Sequence, residues 1–183
     1  MVMVTNPVDV LARLFADVSG CERVYGIGSN TDSARYRIAL ARLLAVPVEA
    51  VDGHVIGEHG DHAVICASST TVHDRPAAFP LQEIRDELAA RPRRINGGIG
   101  RTRCGPAGAT IAALEHALGV TDGVIELSAR WQGGWLGIPL RFQDGHPTVA
   151  LPPLSPAEAS SLDAADTKIR QAYRLVEKSG ETA

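Results

Sequence analysis

The sequence predicts a mixed α/β chain, or α+β by stricter naming, and three observations carry that prediction. Apolar residues recur at helical spacing near both ends, at Val8, Leu11, Leu14, Phe15 and Val18 and again at Leu162, Ala165, Ile169, Ala172 and Val176. Residues 124–131 and 136–142 form two alternating runs about Gly133-Gly134, which is a hairpin signal. Residues 51–56 and 62–67 are short strand-like runs flanking a glycine-bounded loop.

The elements follow in order. Residues 2–5 read as a short buried strand feeding a helix, with Asn6 as its cap and Pro7 in the first helical position, where a missing N–H costs nothing. Gly20 ends that helix. After a short strand and loop over 23–28, Asp32 begins a second helix, because a carboxylate suits the positive end of the macrodipole. Its apolar set is Ile38, Leu40, Ala41, Leu43 and Leu44, and Pro47 closes it. Pro76 and Pro80 mark 70–80 as a loop. A helix over 81–90 should stop at Pro92, with Gly97, Gly98 and Gly100 extending the interruption. Another helix is expected from about Pro106 to Leu118. Ser155-Pro156-Ala157-Glu158 is a capping box that opens the last helix. The whole of 1–183 reads as one domain, with a disordered tail at 179–183.

Composition narrows the function. A chain of 183 residues with 45% apolar content can bury one sizeable soluble core. A net charge of −3 offers no field for nucleic acid or an anionic membrane surface. No run approaches the roughly 18 apolar residues of a membrane span, and the first residues lack a secretory pattern. Cys21, Cys66 and Cys104 are odd in number and lack CxxC spacing, which argues for reduced thiols in a cytoplasm over a disulfide framework or zinc site. Trp131 and Trp135 flank the hairpin turn and read as packing or interface residues.

The chemistry gathers in two short segments. Residues 56–61 read Ile-Gly-Glu-His-Gly-Asp, and Asp32 and Arg35 lie one helical turn apart upstream of it. An imidazole moves protons near neutral pH, a carboxylate orients it, and a guanidinium grips a substrate carboxylate with two parallel hydrogen bonds. Metal binding is weighed and set aside: His54, His59, Asp61 and His62 are close in sequence, but their spacing matches no zinc pattern. The roles of His62, Cys66 and Cys104 stay open at this point; a nucleophilic cysteine would need a base and an electropositive setting. No Gly-x-Gly-x-x-Gly follows a strand, so nothing in the sequence points to a dinucleotide site.

These segments resemble the lactate/malate dehydrogenase family. Met3-Val4-Thr5-Asn6-Pro7-Val8-Asp9-Val10-Leu11 looks like the strand end that brings an asparagine to nicotinamide and substrate. Asp32-Ser33-Ala34-Arg35-Tyr36-Arg37 looks like the helix with the paired aspartate and the carboxylate-binding arginine, and Val55 to Asp61 like the catalytic histidine loop. The resemblance covers nearly the whole chain and implies the family's catalytic half: a twisted antiparallel sheet packed with helices, without the NAD-binding domain. It implies His59 as acid/base, Asp32 as its partner, Arg35 and Asn6 as substrate-binding, and Thr102 as a substrate contact. Arg101 and Arg103 flank that threonine and either fill space left by the nicotinamide, replace a lost loop arginine, or form an exposed basic turn. Asn30-Thr31 and Ile65-Cys66-Ala67 depart from the family pattern.

Three functions compete. The first is an acid/base enzyme on an oxo or hydroxy acid that has lost hydride transfer and uses no cofactor. The second is a 2-hydroxy-acid dehydrogenase half whose NAD is supplied by a separate subunit. The third is a non-catalytic interaction subunit. A homodimer is expected in each case, through the helix carrying Asp32 and the apolar surface exposed by the missing half.

Overall fold

The computed structural model describes residues 1–180, with side chains to Glu177. Its elements run β1 (Val2–Met3), α1 (Val8–Ser19), β2 (Tyr25–Gly26), α2 (Gly28–Leu44), β3 (Val51–Asp52), β4 (Val55–Gly57), β5 (Ala63–Ile65), β6 (Thr71–Val72), β7 (Arg75–Pro76), α3 (Leu81–Ile99), α4 (Cys104–Ala117), β8 (Gly123–Trp131), β9 (Gly134–Gln143), β10 (His146–Val149) and α5 (Pro156–Gly180). The main sheet has the order β1-β2-β8-β9-β4-β5, with β10 beside β9, and a small second sheet is β3-β6-β7. The pairs are antiparallel, as expected, except β1 with β2; these run parallel because α1 carries the chain back between them. The tail expected at 179–183 falls largely outside the described residues.

The β8–β9 hairpin is the centre of the molecule. Gln132 and Gly133 both take left-handed φ, 46° and 72°, which matches the twist of the flanking strands. Ile125 then faces Leu140, Leu127 faces Ile138, and Ala129 faces Leu136, so three cross-strand apolar pairs share one face. That face packs with Leu162, Ala165 and Ile169 of α5. The opposite face of β8 is also covered, although it carries Glu126 and Ser128, and α1 and α2 lie near that strand. Enclosed polar residues on a central strand need partners, and this face supports the candidate site.

Several boundaries differ from expectation for identifiable reasons. Helix α1 starts at Val8, with Pro7 as its extended cap residue, so the Asn6 amide is not spent on capping. Helix α2 starts at Gly28, which places Asp32 inside it. Ser29 and Thr31 look like loop residues, but both are buried and the Thr31 hydroxyl donates to the Ile27 carbonyl. Helix α3 passes through Pro92 and reaches Ile99. A proline removes one hydrogen bond, and with Arg85, Asp86, Ala89, Ala90 and Arg93 exposed, no packed neighbour has to move. Residues 71–76 form a hairpin turning at His73 and Asp74, both with positive φ, and Pro76 is tolerated because β7 is an edge strand. The capping box is as read: Ser155 N–H donates to Glu158 Oε2 (2.7 Å) and Glu158 N–H to Ser155 Oγ (3.3 Å). Of the expected stripe on α1, Val8 is buried and Val18 is 80% exposed, and α1 buries Asp9, Val10, Ala12 and Ala16 besides.

Candidate active site

Four elements converge on His59. It sits in the β4–β5 turn, where Gly57 has φ 87° and bends the strand in a way L-residues resist. Glu58 anchors this turn, accepting hydrogen bonds from His62 N–H (3.1 Å) and from Lys168 Nζ of α5 (2.9 Å). The His59 backbone N–H donates to Oδ2 of Asp9 in α1 (2.9 Å). Helix α2 is registered against β4 by Ser33, whose hydroxyl donates to the Val55 carbonyl (3.2 Å) and accepts the Val55 N–H (2.8 Å). At Gly28 a Cβ would lie 2.4 Å from the His59 Cβ and 2.9 Å from Val8 Cγ1, so only glycine lets the histidine loop lie against the start of α2.

The side chains then meet within hydrogen-bond reach. His59 Nδ1 lies 2.6 Å from Asp32 Oδ2, which fixes the ring orientation and commits that nitrogen to the carboxylate. Arg35, three residues on, donates from Nη1 to Asp32 Oδ1 (3.3 Å), and the pair is half-buried. Burial opposes a positive charge on His59. The Asp32 hydrogen bond and charge and the Asp9 charge outweigh it, and the imidazole pKa is raised from its ordinary 6.5. Burial raises the Asp9 pKa as well, against the lowering effects of Ser128 and the His59 N–H.

His59, Arg35, Asn6 and Thr102 all line one small pocket of about 80 Å³, with Val4, Val8, Ile27, Gly28, Thr31 and Pro106. The structure therefore brings together His59, Asp32, Arg35, Asn6 and Thr102. Arg101 and Arg103 are exposed and outside that lining, so the basic-turn reading fits them. His54 and His62 are drawn elsewhere, to Glu126 (2.6 Å) and Glu58 (3.4 Å). Cys66 is buried, which pushes its thiol up to about 12, and Glu158 and Glu126 add to the shift; it is an inert core residue. Cys104 is exposed at the start of α4. Sequence reasoning missed Asp9 as part of the site. An acid in the first turn of a helix reads as a solvent-facing partner of the macrodipole, and only the Val8–Val10 apolar surroundings hinted otherwise.

No protein-family model matches the chain. A malate dehydrogenase from Sulfurisphaera tokodaii is 33% identical over an alignment of 174 positions that covers 90% of this chain and 53% of that protein. One from Halobacterium salinarum is 33% identical over an alignment of 184 positions that covers 94% of this chain and 60% of that protein. The chain is a homologue of the malate and lactate dehydrogenases. A crystal structure of a minor L-lactate dehydrogenase from Enterococcus mundtii superposes with a TM-score of 0.88 at 25% identity, over 96% of the homologue and 62% of that chain. The malate dehydrogenase of Aeropyrum pernix shares the fold, with a TM-score of 0.84 at 22% identity. The homologue thus spans little more than half the length of the relatives it matches, in agreement with a C-terminal domain considered without its N-terminal part.

Proposed function

We propose that this chain is the substrate-binding and proton-transferring half of a 2-hydroxy-acid dehydrogenase site, with NAD held by a nucleotide-binding unit that these residues do not include. The observation that supports this reading best is the single pocket in which a carboxylate-paired imidazole, a guanidinium and a carboxamide converge. The relatives are named malate, lactate and 2-hydroxycarboxylate dehydrogenases, which favours hydride chemistry over the cofactor-free acid/base reading.

The residues fit the substrate end of such a site and not the dinucleotide. Among the described residues, the glycine opening α2 is packed against His59 and Val8, so that helix end is no phosphate cradle. A nicotinamide, when bound, supplies or accepts the hydride at the substrate carbon. This chain supplies the rest. Arg35 holds the substrate carboxylate with the N–H groups that Asp32 does not take. Asn6 donates to the reacting oxygen, and Thr102 lines the same pocket. His59 gives its Nε2 proton to that oxygen as negative charge develops there, and takes it back in the reverse direction. Asp32 stabilises the imidazolium meanwhile.

Calorimetry with pyruvate and oxaloacetate in buffers of different ionisation heat tests the substrate half. Binding should come with proton uptake, and Arg35→Ala should abolish it. NADH oxidation by the complex purified from native cells tests the redox half. Proton exchange at the substrate without NADH consumption would return the site to cofactor-free chemistry. Residues 1–183 on their own should bind neither NADH nor NADPH below millimolar concentration, and micromolar binding would overturn the reading that NAD is held outside them.

A further inference from the structure

Helix α3 packs along α2, and the seam between them begins as an ordinary apolar contact. Ile84 is buried in one cluster with Tyr36, Ala39 and Leu40 of α2, and Leu88, one turn on, packs against the same cluster. The next position on that face of α3 is Arg91, seven residues after Ile84. An apolar residue would continue the seam there. The guanidinium that stands in its place has Nη1 buried with no hydrogen-bond partner. A charged donor shut away from water without an acceptor costs stability, so the fold alone gives no reason for this arginine.

Arg91 lines a cavity of about 670 Å³ between the two helices, which shares no residue with the small pocket at His59. Its apolar lining is Ala39, Leu43 and Ile84, and its charged lining is Arg42, Arg91 and Arg94 against Glu83 and Glu87. Glu87 is taken up by an ion pair with Arg94. Glu83 lies eight residues before Arg91, about 12 Å along the helix axis. Burial holds the Arg91 pKa below its ordinary value, and the charges of Arg42, Arg35 and Arg94 push the same way against that of Glu87. The cavity therefore carries positive charge that the protein itself does not answer.

We infer that the cavity between α2 and α3 binds an organic phosphate, its phosphate held by Arg42 and Arg91 and its organic body set against Ala39, Leu43 and Ile84. A phosphate fits these donors better than a carboxylate does. One guanidinium fork satisfies a planar carboxylate, whereas a tetrahedral dianion offers oxygens to donors arriving from two helices. The volume is that of a site for a small organic ligand and far exceeds a bare ion. Arg35 reaches this cavity only through its charge, so the inference holds whatever reaction the His59 pocket performs.

Calorimetry on the purified protein with inorganic phosphate, AMP and glucose 6-phosphate tests this and separates bare ion, nucleotide and sugar phosphate. At least one ester should bind below about 1 mM and more tightly than inorganic phosphate. Arg42→Met and Arg91→Met keep the apolar stems and remove the charges, and each should weaken that binding at least about tenfold. Arg75→Met, at an exposed arginine on β7, should leave it unchanged. Esters that bind no better than inorganic phosphate, or binding that survives both substitutions, overturn the inference. Arg35→Ala tells the two pockets apart: affinity should stay within about threefold, since only a distant charge is lost. Loss of binding there would put the phosphate in the His59 pocket and refute the site between the helices. Thermal melting without ligand is the second measurement. Arg91→Met should melt at or above the wild-type temperature, because it removes a buried donor that has no acceptor. A clear fall would show that this guanidinium serves the fold, and the inference would fail.

Discussion

Two histidine–carboxylate pairs in this molecule have the same geometry and different surroundings. His59 Nδ1 lies 2.6 Å from Asp32, and His54 Nδ1 lies 2.6 Å from Glu126. Around Glu126 every interaction is inward. It is 2% exposed, pairs with Arg37 Nη1 (2.9 Å) as well as His54, and receives Asn30 Nδ2 at 3.5 Å. Burial alone would raise its pKa, but the His54 hydrogen bond and the Arg37 and His54 charges hold it below the ordinary carboxylate value. The far nitrogen of His54 reaches only toward exposed Asp52, at 3.8 Å. His59 instead turns its second nitrogen into a pocket shared with Arg35, Asn6 and Thr102. A short imidazole–carboxylate contact is therefore no sign of catalysis on its own. What distinguishes the His59 pair is its place on a pocket lined by an arginine, an asparagine and a threonine.

Turnover should separate the pairs most strongly. His59→Ala and Asp32→Asn should each lower the rate of the assembled enzyme by roughly 10²–10⁴-fold, the range for a positioned acid/base. His54→Gln should change it by less than about threefold, because that ring faces no substrate. Equal losses at both histidines, measured as kcat at saturating substrate, would erase the distinction. Arg35→Ala should act chiefly on KM.

Stability should reverse the ranking. Glu126→Gln leaves Arg37 and His54 facing a neutral amide in a closed site, and breaking a buried pair of this kind costs about 3–5 kcal/mol. Asp32→Asn, at a carboxylate that is 16% exposed against 2% for Glu126, should cost far less. Urea denaturation of both variants decides this. If Asp32→Asn is the more destabilised, the active-site pair is also the structural one.

The two pairs were unequally legible in the sequence. His59, Asp32 and Arg35 stood out because glycines bracket the histidine and the other two are one helical turn apart, and both patterns are local. Glu126 gave no such signal. It sits in an alternating run where an acid reads as the solvent face, and only the packing of α2 over β8 encloses it. The hairpin of β8 and β9 was readable from alternation, whereas β10 was missed because all four of its residues are exposed; Asp144-Gly145, both with left-handed φ, was the available clue. Pairings over long sequence distances, such as Asp9 with the His59 N–H, leave no periodic trace at all.

The smallest effect concerns pH, and it isolates what Asp9 adds. The His59 pKa is raised above 6.5, so the stability gained from its protonated form is complete below that value and is lost as pH rises through the folded-state pKa. Asp9 is also raised, from 3.8, chiefly by burial. A carboxyl with a raised folded pKa is most favourable to the fold below its unfolded value, and its contribution falls as pH climbs through the folded one. The Asp9 window opens at its ordinary 3.8 and the His59 window at its ordinary 6.5, and each extends upward to a raised folded-state value. Asp9→Asn keeps an oxygen to accept the His59 N–H and removes the buried charge. Thermal melting from pH 3 to 8 should show the variant gaining slightly on wild type above the Asp9 window, by a few degrees at most. NMR titration of the His59 ring should show its midpoint moving down while staying raised, since the Asp32 bond persists. If the midpoint does not move, Asp9 only anchors the loop; if melting at pH 8 falls sharply, its charge is part of the fold and not a tuning element for the imidazole.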